Sequence, residues 1–402
     1  MTNGKTAKKP TKPDSPGNSY QVIVVGGGLA GLAAAFALAS NALHVAHLAP
    51  IAPPDSRTSA LMTPSVKIMQ ELGLVKDPDK IGVPLEKIRI IDATDRLIRA
   101  PESLFDSAEV GETAFGWNFA NTSLMNQFAP LVKSQQNLHQ INASATRLTK
   151  SAQNWNVQLS DGSSISAPLI VGADGKNSFM RKSAGISIKQ TIHKQSALVC
   201  DLTLTRPLNG ESVEYHYPDG PFTLVPAGGL KANLVWVDRA DILEQVKSRT
   251  ADEILNILQE KSQNLFGDLR LDTGVFVFPL SSHHAQTMGR EGIVLVGESG
   301  HAFPPIGAQG LNLSLRDVSD LVACIRQSPP DETSKWANKV ASDYNRRRAG
   351  DITRTSSMVD TLFKSLLSEL LPAQALRAGG IWALKSCSPL RKYAFHMGMG
   401  ST

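Results

Sequence analysis

Between the β-branched run Gln21–Val25 and the Ala-rich stretch Leu29–Ser40 the chain carries Gly26-x-Gly28-x-x-Gly31. The order strand, glycine turn, helix is how a parallel sheet begins, and His44–Leu48 completes the βαβ unit. The first glycine permits the tight turn, the second lets backbone approach a pyrophosphate, and the third lets helix pack on strand. The helix N-terminus then faces the anion, so the spacing in this context predicts a dinucleotide site. An acid that bonds the adenosine ribose is expected about 20 residues on; by position that residue is Ala49, so a second anchor is needed elsewhere. Gln21 to Leu43 lacks Asp, Glu, Lys and Arg, but the glycine triplet divides it into strand and helix rather than a membrane span.

With 402 residues, 42% of them hydrophobic, the chain can bury a sizeable core in two domains or an interleaved pair. Much of the net charge of +5 comes from Lys5, Lys8, Lys9 and Lys12. These belong to a tail, residues 1–19, whose Lys/Pro/Ser/Thr/Gly mixture predicts disorder and which lacks the apolar stretch of a secretory signal. No basic stripe interleaved with aromatics follows, which argues against nucleic acid as a partner. Cys200, Cys324 and Cys387 show no paired spacing; they read as free thiols in a reducing, cytoplasmic setting, with no metal site.

Further along, Thr63–Leu72 reads as a helix, Asn154–Leu159 with Asp161-Gly162 as a hairpin, Ile165–Val171 and Ile293–Val296 as buried strands, and Leu311–Ile325 as a helix. Ser196 to Pro279 reads as a mostly antiparallel sheet with one helix at Asp252–Phe266, and from Thr333 the chain is helical with interruptions at Pro372 and Ser388-Pro389. The expected fold is therefore α/β. A Rossmann-like parallel-sheet domain (20–90, 119–190 and 287–340) is interleaved with a mostly antiparallel β domain (91–118 and 191–286), and a helical region, 341–402, follows.

Two more motifs sit after strands. Leu169–Ile186 places Asp174-Gly175, Ser178 and Arg181; Ile293–Leu321 places Gly297-Glu298, His301, Pro304-Pro305, Gly307, Gln309-Gly310, Asn312 and Asp317. The three motifs in this order resemble those of the FAD-dependent aromatic hydroxylases with the p-hydroxybenzoate hydroxylase fold, and within them the ubiquinone-biosynthesis hydroxylases. Asp55–Leu61, Asn121–Leu124, Gly220–Pro226, Val235-Trp236, Tyr344–Asp351 and Asp360–Phe363 extend the likeness over about Tyr20 to Gly400. The resemblance implies FAD held at its pyrophosphate by Gly26, Gly28, Leu29, Ala30 and Gly31, with Arg57 close by. Asp174 and Gly175 would support it, Gly297 and Glu298 would meet the ribityl chain, and Pro305, Gly307, Gln309, Gly310, Leu311 and Asn312 would lie beside the isoalloxazine. Glu298 stands where the family usually has Asp, Gly307-Ala308 looks like a swapped Ala-Gly, Met180 replaces Val and Ser314 a frequent Gly.

In that family NAD(P)H reduces the flavin, O2 adds at C4a, and the distal oxygen of the hydroperoxide passes to a phenolic ring. With no second glycine-rich βαβ unit, NAD(P)H is expected to dock transiently. Expected catalytic residues are His301, Pro305 and Tyr217, although a histidine in such a loop often only satisfies backbone. Expected substrate contacts are Tyr215, Tyr217, Phe222, Leu224 and Trp236, with His216 as an alternative to Tyr217 for phenol ionisation; alternation along a strand means that only some face a pocket. Asp317 and Asp320 read as surface charges, and Arg181 as the partner of an acid. A polyprenyl phenol is membrane-borne, and Leu362, Phe363, Leu366, Leu367, Leu370 and Leu371 form a helical stripe that either docks on the core or, with Gly379–Trp382 and Arg391-Lys392, touches the inner face of a membrane peripherally. Two other readings stay open: another FAD-dependent monooxygenase acting on a small phenol, and a non-catalytic flavoprotein-like subunit of a multiprotein biosynthetic complex. Homo-oligomerisation is compatible with each.

Overall fold

Val22–Val25 is buried at every position, the pattern of a strand covered on both faces. The computed structural model describes residues 20–151, 153–305, 307–330, 334–368 and 370–399, and the tail expected at 1–19 lies outside them. Val22–Val25 is an inner strand of a six-stranded sheet in the order Gly289–Arg290, Ile293–Leu295, Leu169–Gly172, Val22–Val25, Val45–Leu48, Leu138–Ile141. All neighbours are parallel except the first pair. The helix Leu29–Ser40 is apolar nearly all round and packs between the helices Asn121–Ser134 and Gln309–Gln327, which is why its alanines are buried.

Ile165–Val171 is not one strand. Pro168, which has no N–H to give a ladder, splits it into Ser164–Ala167, in a three-stranded antiparallel sheet with Trp155–Leu159 and Ala145–Lys150, and Leu169–Gly172 in the parallel sheet. The helix expected at Asp252–Phe266 is Ala251–Lys261, set by a capping box between Thr250 and Glu253. A second helix, Ala240–Lys247, precedes it and buries Leu243 and Val246.

The β-rich part is a nine-stranded sheet built around the long strand Ile188–Leu204. Two expected domain boundaries fall inside elements: Lys87–Asp92 pairs in parallel with Glu211–Tyr217 in the large sheet, and Gly116–Ala120 pairs with Thr58–Met62 and Gly82–Leu85 in a separate small sheet. The helix Ser334–Leu367 likewise runs through position 340. Alternation gives the large sheet two faces. Val213, Tyr215, Phe222, Leu224, Leu234 and Trp236 form a core with Leu243, Val246, Ile254 and Leu258 of the two helices. The opposite face meets the small sheet, where Asn118 Nδ2 donates to Asn233 Oδ1 at 2.7 Å and to the Pro226 carbonyl at 3.0 Å.

The C-terminal stripe is divided. Phe363 and Leu366 dock on Ala197, Val237 and Leu280, the helix stops at Leu367, and Leu370 and Leu371 are exposed. Leu371–Ser386 and Ser388–Met399 follow as separate helices.

Gly116 lies so close to the neighbouring strand that a Cβ there would sit 2.2 Å from the Leu61 carbonyl oxygen. Gly116→Ala is therefore expected to lower the unfolding free energy by about 1–3 kcal/mol, read by urea denaturation, and an unchanged midpoint would contradict this packing.

Candidate functional site

The parallel register aligns Val25 with Gly172 and Gly172 with Leu295, so the three motifs leave the carboxyl ends of three adjacent strands. Their backbones touch. A Cβ on Gly26, whose φ is +134°, would lie 2.0 Å from the Ala173 carbonyl oxygen, and one on Gly31 would lie 1.9 Å from that of Gly26. A Cβ on Gly28 would meet nothing within 4 Å. Beside that open space the helix Leu29–Ser40 begins with no capping side chain and no acid in its first turn, leaving its N–H donors free for an anion. This cradle fits a pyrophosphate. A second helix, Gln309–Gln327, also begins uncapped, at Ala308 with φ +54°, and Gly310 next to it again faces open space. Gly307 and Ala308 are both left-handed, which explains why the swapped pair is tolerated only at the cost of strain on alanine.

One hydrogen bond and one close approach that the sequence did not reveal hold these loops. His47 is fully buried with Nε2 2.9 Å from the Gly26 carbonyl; burial holds the ring below its ordinary pKa, so the neutral N–H donates to the glycine turn. Ala49, two residues on, lies beside Gly27 and offers no acceptor. Gly297, with φ +67°, closes over Ala30: a Cβ there would be 3.2 Å from the Ala30 Cβ.

Arg57 forks onto Asp55, with Nε and Nη2 each 2.8 Å from a carboxylate oxygen, and Asn121 Nδ2 donates to the same Asp55 at 2.9 Å. The guanidinium stays largely exposed and lies within the field of Glu298, which brings the Arg57 loop and the third motif to one place. Asp174 spends its carboxylate locally, accepting from the Ser178 hydroxyl at 2.5 Å and the Met180 N–H at 2.9 Å. Arg181 is buried and bonds carbonyls rather than the expected acid: Ser299 at 2.6 Å and Lys176 at 2.9 Å. It thereby joins the second motif to the third.

Asp317 is fully buried, not the expected surface charge. It accepts from the Gly297 N–H at 2.8 Å, from His301 Nε2 at 2.7 Å and from Arg348 Nε at 2.7 Å. Burial opposes ionisation of Asp317, and its interactions with His301 and Arg348 outweigh it, holding the carboxyl below the usual range. Arg348 also bonds Asp320 and Asp351, each at 2.8 Å, and Asp351 takes Arg316 at 2.9 Å. His301, 1% exposed, thus serves this network, and that geometry argues against a general-acid role. Asn312, 1% exposed, positions backbone: it donates to the Ala60 and Ala308 carbonyls and accepts from the Met62 N–H. Gln309 donates to the Gly307 carbonyl at 3.1 Å, and Pro305 is exposed.

The expected substrate contacts need correcting. Tyr215, Tyr217, Phe222, Leu224 and Trp236 point to the helix-covered face, with the Tyr215 and Tyr217 hydroxyls donating to the Ser262 and Lys261 carbonyls at 2.8 Å. The registers that put them there place His216, Thr223, Val225, Asn233 and Val235 on the opposite face, which meets the small sheet at Asn233. His216 Nε2 lies 2.7 Å from Glu214 on that face.

Asp317→Ala leaves the buried Gly297 N–H, His301 Nε2 and Arg348 Nε without their shared acceptor, although Arg348 keeps Asp320 and Asp351, so a loss of about 3–5 kcal/mol of unfolding free energy is expected, and a loss under ~1 kcal/mol would show that the network is not structural. A pH effect follows from His283, whose Nε2 donates to the Glu298 carbonyl at 3.0 Å and whose burial pushes its pKa down to about 4. The neutral ring contributes stability in full above the unfolded value, roughly 6.5, and that contribution is lost as pH falls toward 4. His283→Gln is expected to flatten unfolding free energy between those pH values; a profile as steep as that of the unaltered chain would contradict it.

The sequence profile of the FAD binding domain family matches residues 19–348. Ubiquinone hydroxylase UbiL of Rhodospirillum rubrum is 26% identical over 388 residues, covering 94% of this chain and 89% of its own length. The 3-demethoxyubiquinol 3-hydroxylase of Escherichia coli is 26% identical over 392 residues, covering 94% and 98%. Among solved structures, p-nitrophenol 4-monooxygenase PnpA from Pseudomonas putida superposes with a TM-score of 0.76 at 17% identity, over 95% of this chain and 98% of its own, a likeness of fold. The family match runs through all three strand-end motifs, and the chain belongs to the FAD binding domain family.

Proposed function

We propose that this chain is an FAD-dependent, NAD(P)H-driven monooxygenase that hydroxylates the aromatic ring of a polyprenyl phenol in ubiquinone biosynthesis. The observation that carries the reading is the convergence of three motifs on one cradle with two uncapped helix N-termini. The names of the two enzymes of similar sequence support the substrate class. When bound, FAD supplies the activation of O2 that ring hydroxylation needs, drawing electrons from NAD(P)H. The N–H groups at Gly28–Gly31 would hold its pyrophosphate, and Arg57, aimed by Asp55, would offset phosphate charge. The N–H groups at Gly310 and Leu311 would stabilise negative charge beside Gly307, while Asp317 keeps the Gly297 turn in position from behind.

The sheet face carrying Thr223, Val225, Asn233 and Val235 would close over the ring and exclude water. On it, His216 paired with Glu214 is the group suited to take a phenolic proton. NAD(P)H would dock transiently at the surface. Among the described residues no helix is long and apolar enough to cross a membrane, so contact with a membrane-borne substrate would be peripheral, from the cytoplasmic side, alone or within a biosynthetic complex.

The purified chain is expected to carry FAD and to oxidise NAD(P)H faster when a short-chain prenyl phenol is added, yielding ring-hydroxylated product by mass spectrometry. A protein that takes up no FAD would point to a non-catalytic subunit. A flavoprotein that hydroxylates only unprenylated phenols would overturn the substrate class.

A further inference from the structure

The last two helices turn an apolar side outward. In Leu371–Ser386 the inward residues are Gln374, Ala378 and Ile381, while Leu371, Leu376 and Trp382 are 53%, 78% and 62% exposed. Its Arg377 folds back onto the Ser365 and Leu366 carbonyls, and Lys385 sits at the end, so the outer face carries no charge between Leu371 and Trp382. In Ser388–Met399 the residues Leu390, Tyr393 and Met397 are exposed at helical spacing on one side. Among the described residues, half of the exposed large hydrophobic side chains fall between Leu362 and Met397. Scattered single apolar residues need no explanation, but a cluster of this kind does.

Charge indicates what covers the face. From Leu371 to Thr402 the sequence has Arg377, Lys385, Arg391 and Lys392 and neither Asp nor Glu. Arg391 pairs with Glu109, and Arg99 lines a depression beside Trp382 that also holds Asp92 and Glu102, so the outward cations are Lys385 and Lys392. An apolar stripe with Trp and Tyr, flanked by cations and too short to span, is suited to lie in the headgroup boundary of an anionic bilayer. The inner side of the same helices packs on neighbouring strands and reaches the third motif. Ala378 and Ile381 pack with Ala100, Ile90 and Ile98, Phe395 meets the Phe105 and Phe115 rings, and Gln309 of the third motif donates to the Gly398 carbonyl at 3.2 Å.

We propose that the outer face of the helices Leu371–Ser386 and Ser388–Met399 docks on an anionic lipid surface, making this pair a cap between bilayer and cleft. The use of the docking, delivery of a polyprenyl phenol, rests on the function proposed above; the docking itself does not. The test is flotation of the full flavin-loaded chain with vesicles of phosphatidylcholine alone or mixed with phosphatidylglycerol. Flotation with the mixed vesicles is expected, weakened by salt and by removing phosphatidylglycerol. The double variant Leu376→Ser/Trp382→Ser should reduce partitioning roughly tenfold or more while FAD content stays unchanged. Lys392→Glu, at an exposed site, should weaken it in a salt-dependent way. Failure to float, or equal flotation of the double variant, would overturn the proposal, as would a dimer in solution that the double variant dissociates. Vesicle binding without hydroxylation of a prenyl phenol would leave the cap standing and remove the proposed substrate.

Discussion

The site depends on backbones that cross without room for a side chain. Gly31 lies against the Gly26 carbonyl, and Gly26 against that of Ala173, so helix, turn and neighbouring loop form one contact at the strand ends. This is a steric condition, and only glycine meets it. Because the strands are parallel and adjacent, satisfying it places Asp174 and Gly297 at the same strand ends without further design. The open space at Gly28 and the free helix N-terminus then follow from geometry.

Behind the strand ends a buried carboxylate fixes the third loop. Asp317 binds the Gly297 N–H directly, and its charge is compensated by Arg348, which reaches Asp320 and Asp351 as well. The network ties strand end, Gln309–Gln327 and Ser334–Leu367 together, which an apolar contact would do with less directional control. Buried pairs of this kind add little net stability over well-packed apolar groups, but their loss is costly, so their role here is to fix geometry.

What could be read from the sequence follows the range of each signal. The βαβ unit, the helix Leu29–Ser40 and the three motifs rest on local spacing, and the structure has them. Strand pairing and side-chain direction are non-local. Nothing near Tyr217 or Trp236 says which face of the sheet the helices Ala240–Lys247 and Ala251–Lys261 will cover, so core aromatics were expected in the pocket. Asp317 lies eight residues past Gln309 on an amphipathic helix, and its burial depends on Arg348 arriving from another helix. Pro168 was the one local signal with enough information to divide Ile165–Val171.

At the strand ends several locally unfavourable features meet. Two helices start uncapped, Ala308 adopts a left-handed backbone, and His47 holds a turn from beneath. Each is unfavourable or neutral for the chain alone, and such violations cluster where a ligand supplies the missing partner. An anion at Gly28 would satisfy the first helix, and a ring edge at Gly310 the second. Binding and folding are then linked: a ligand that binds only the folded chain adds its binding free energy to stability. The lost ribose acceptor at Ala49 reduces that linkage at one end of the ligand, while Arg57 and the two helix termini retain it along the rest.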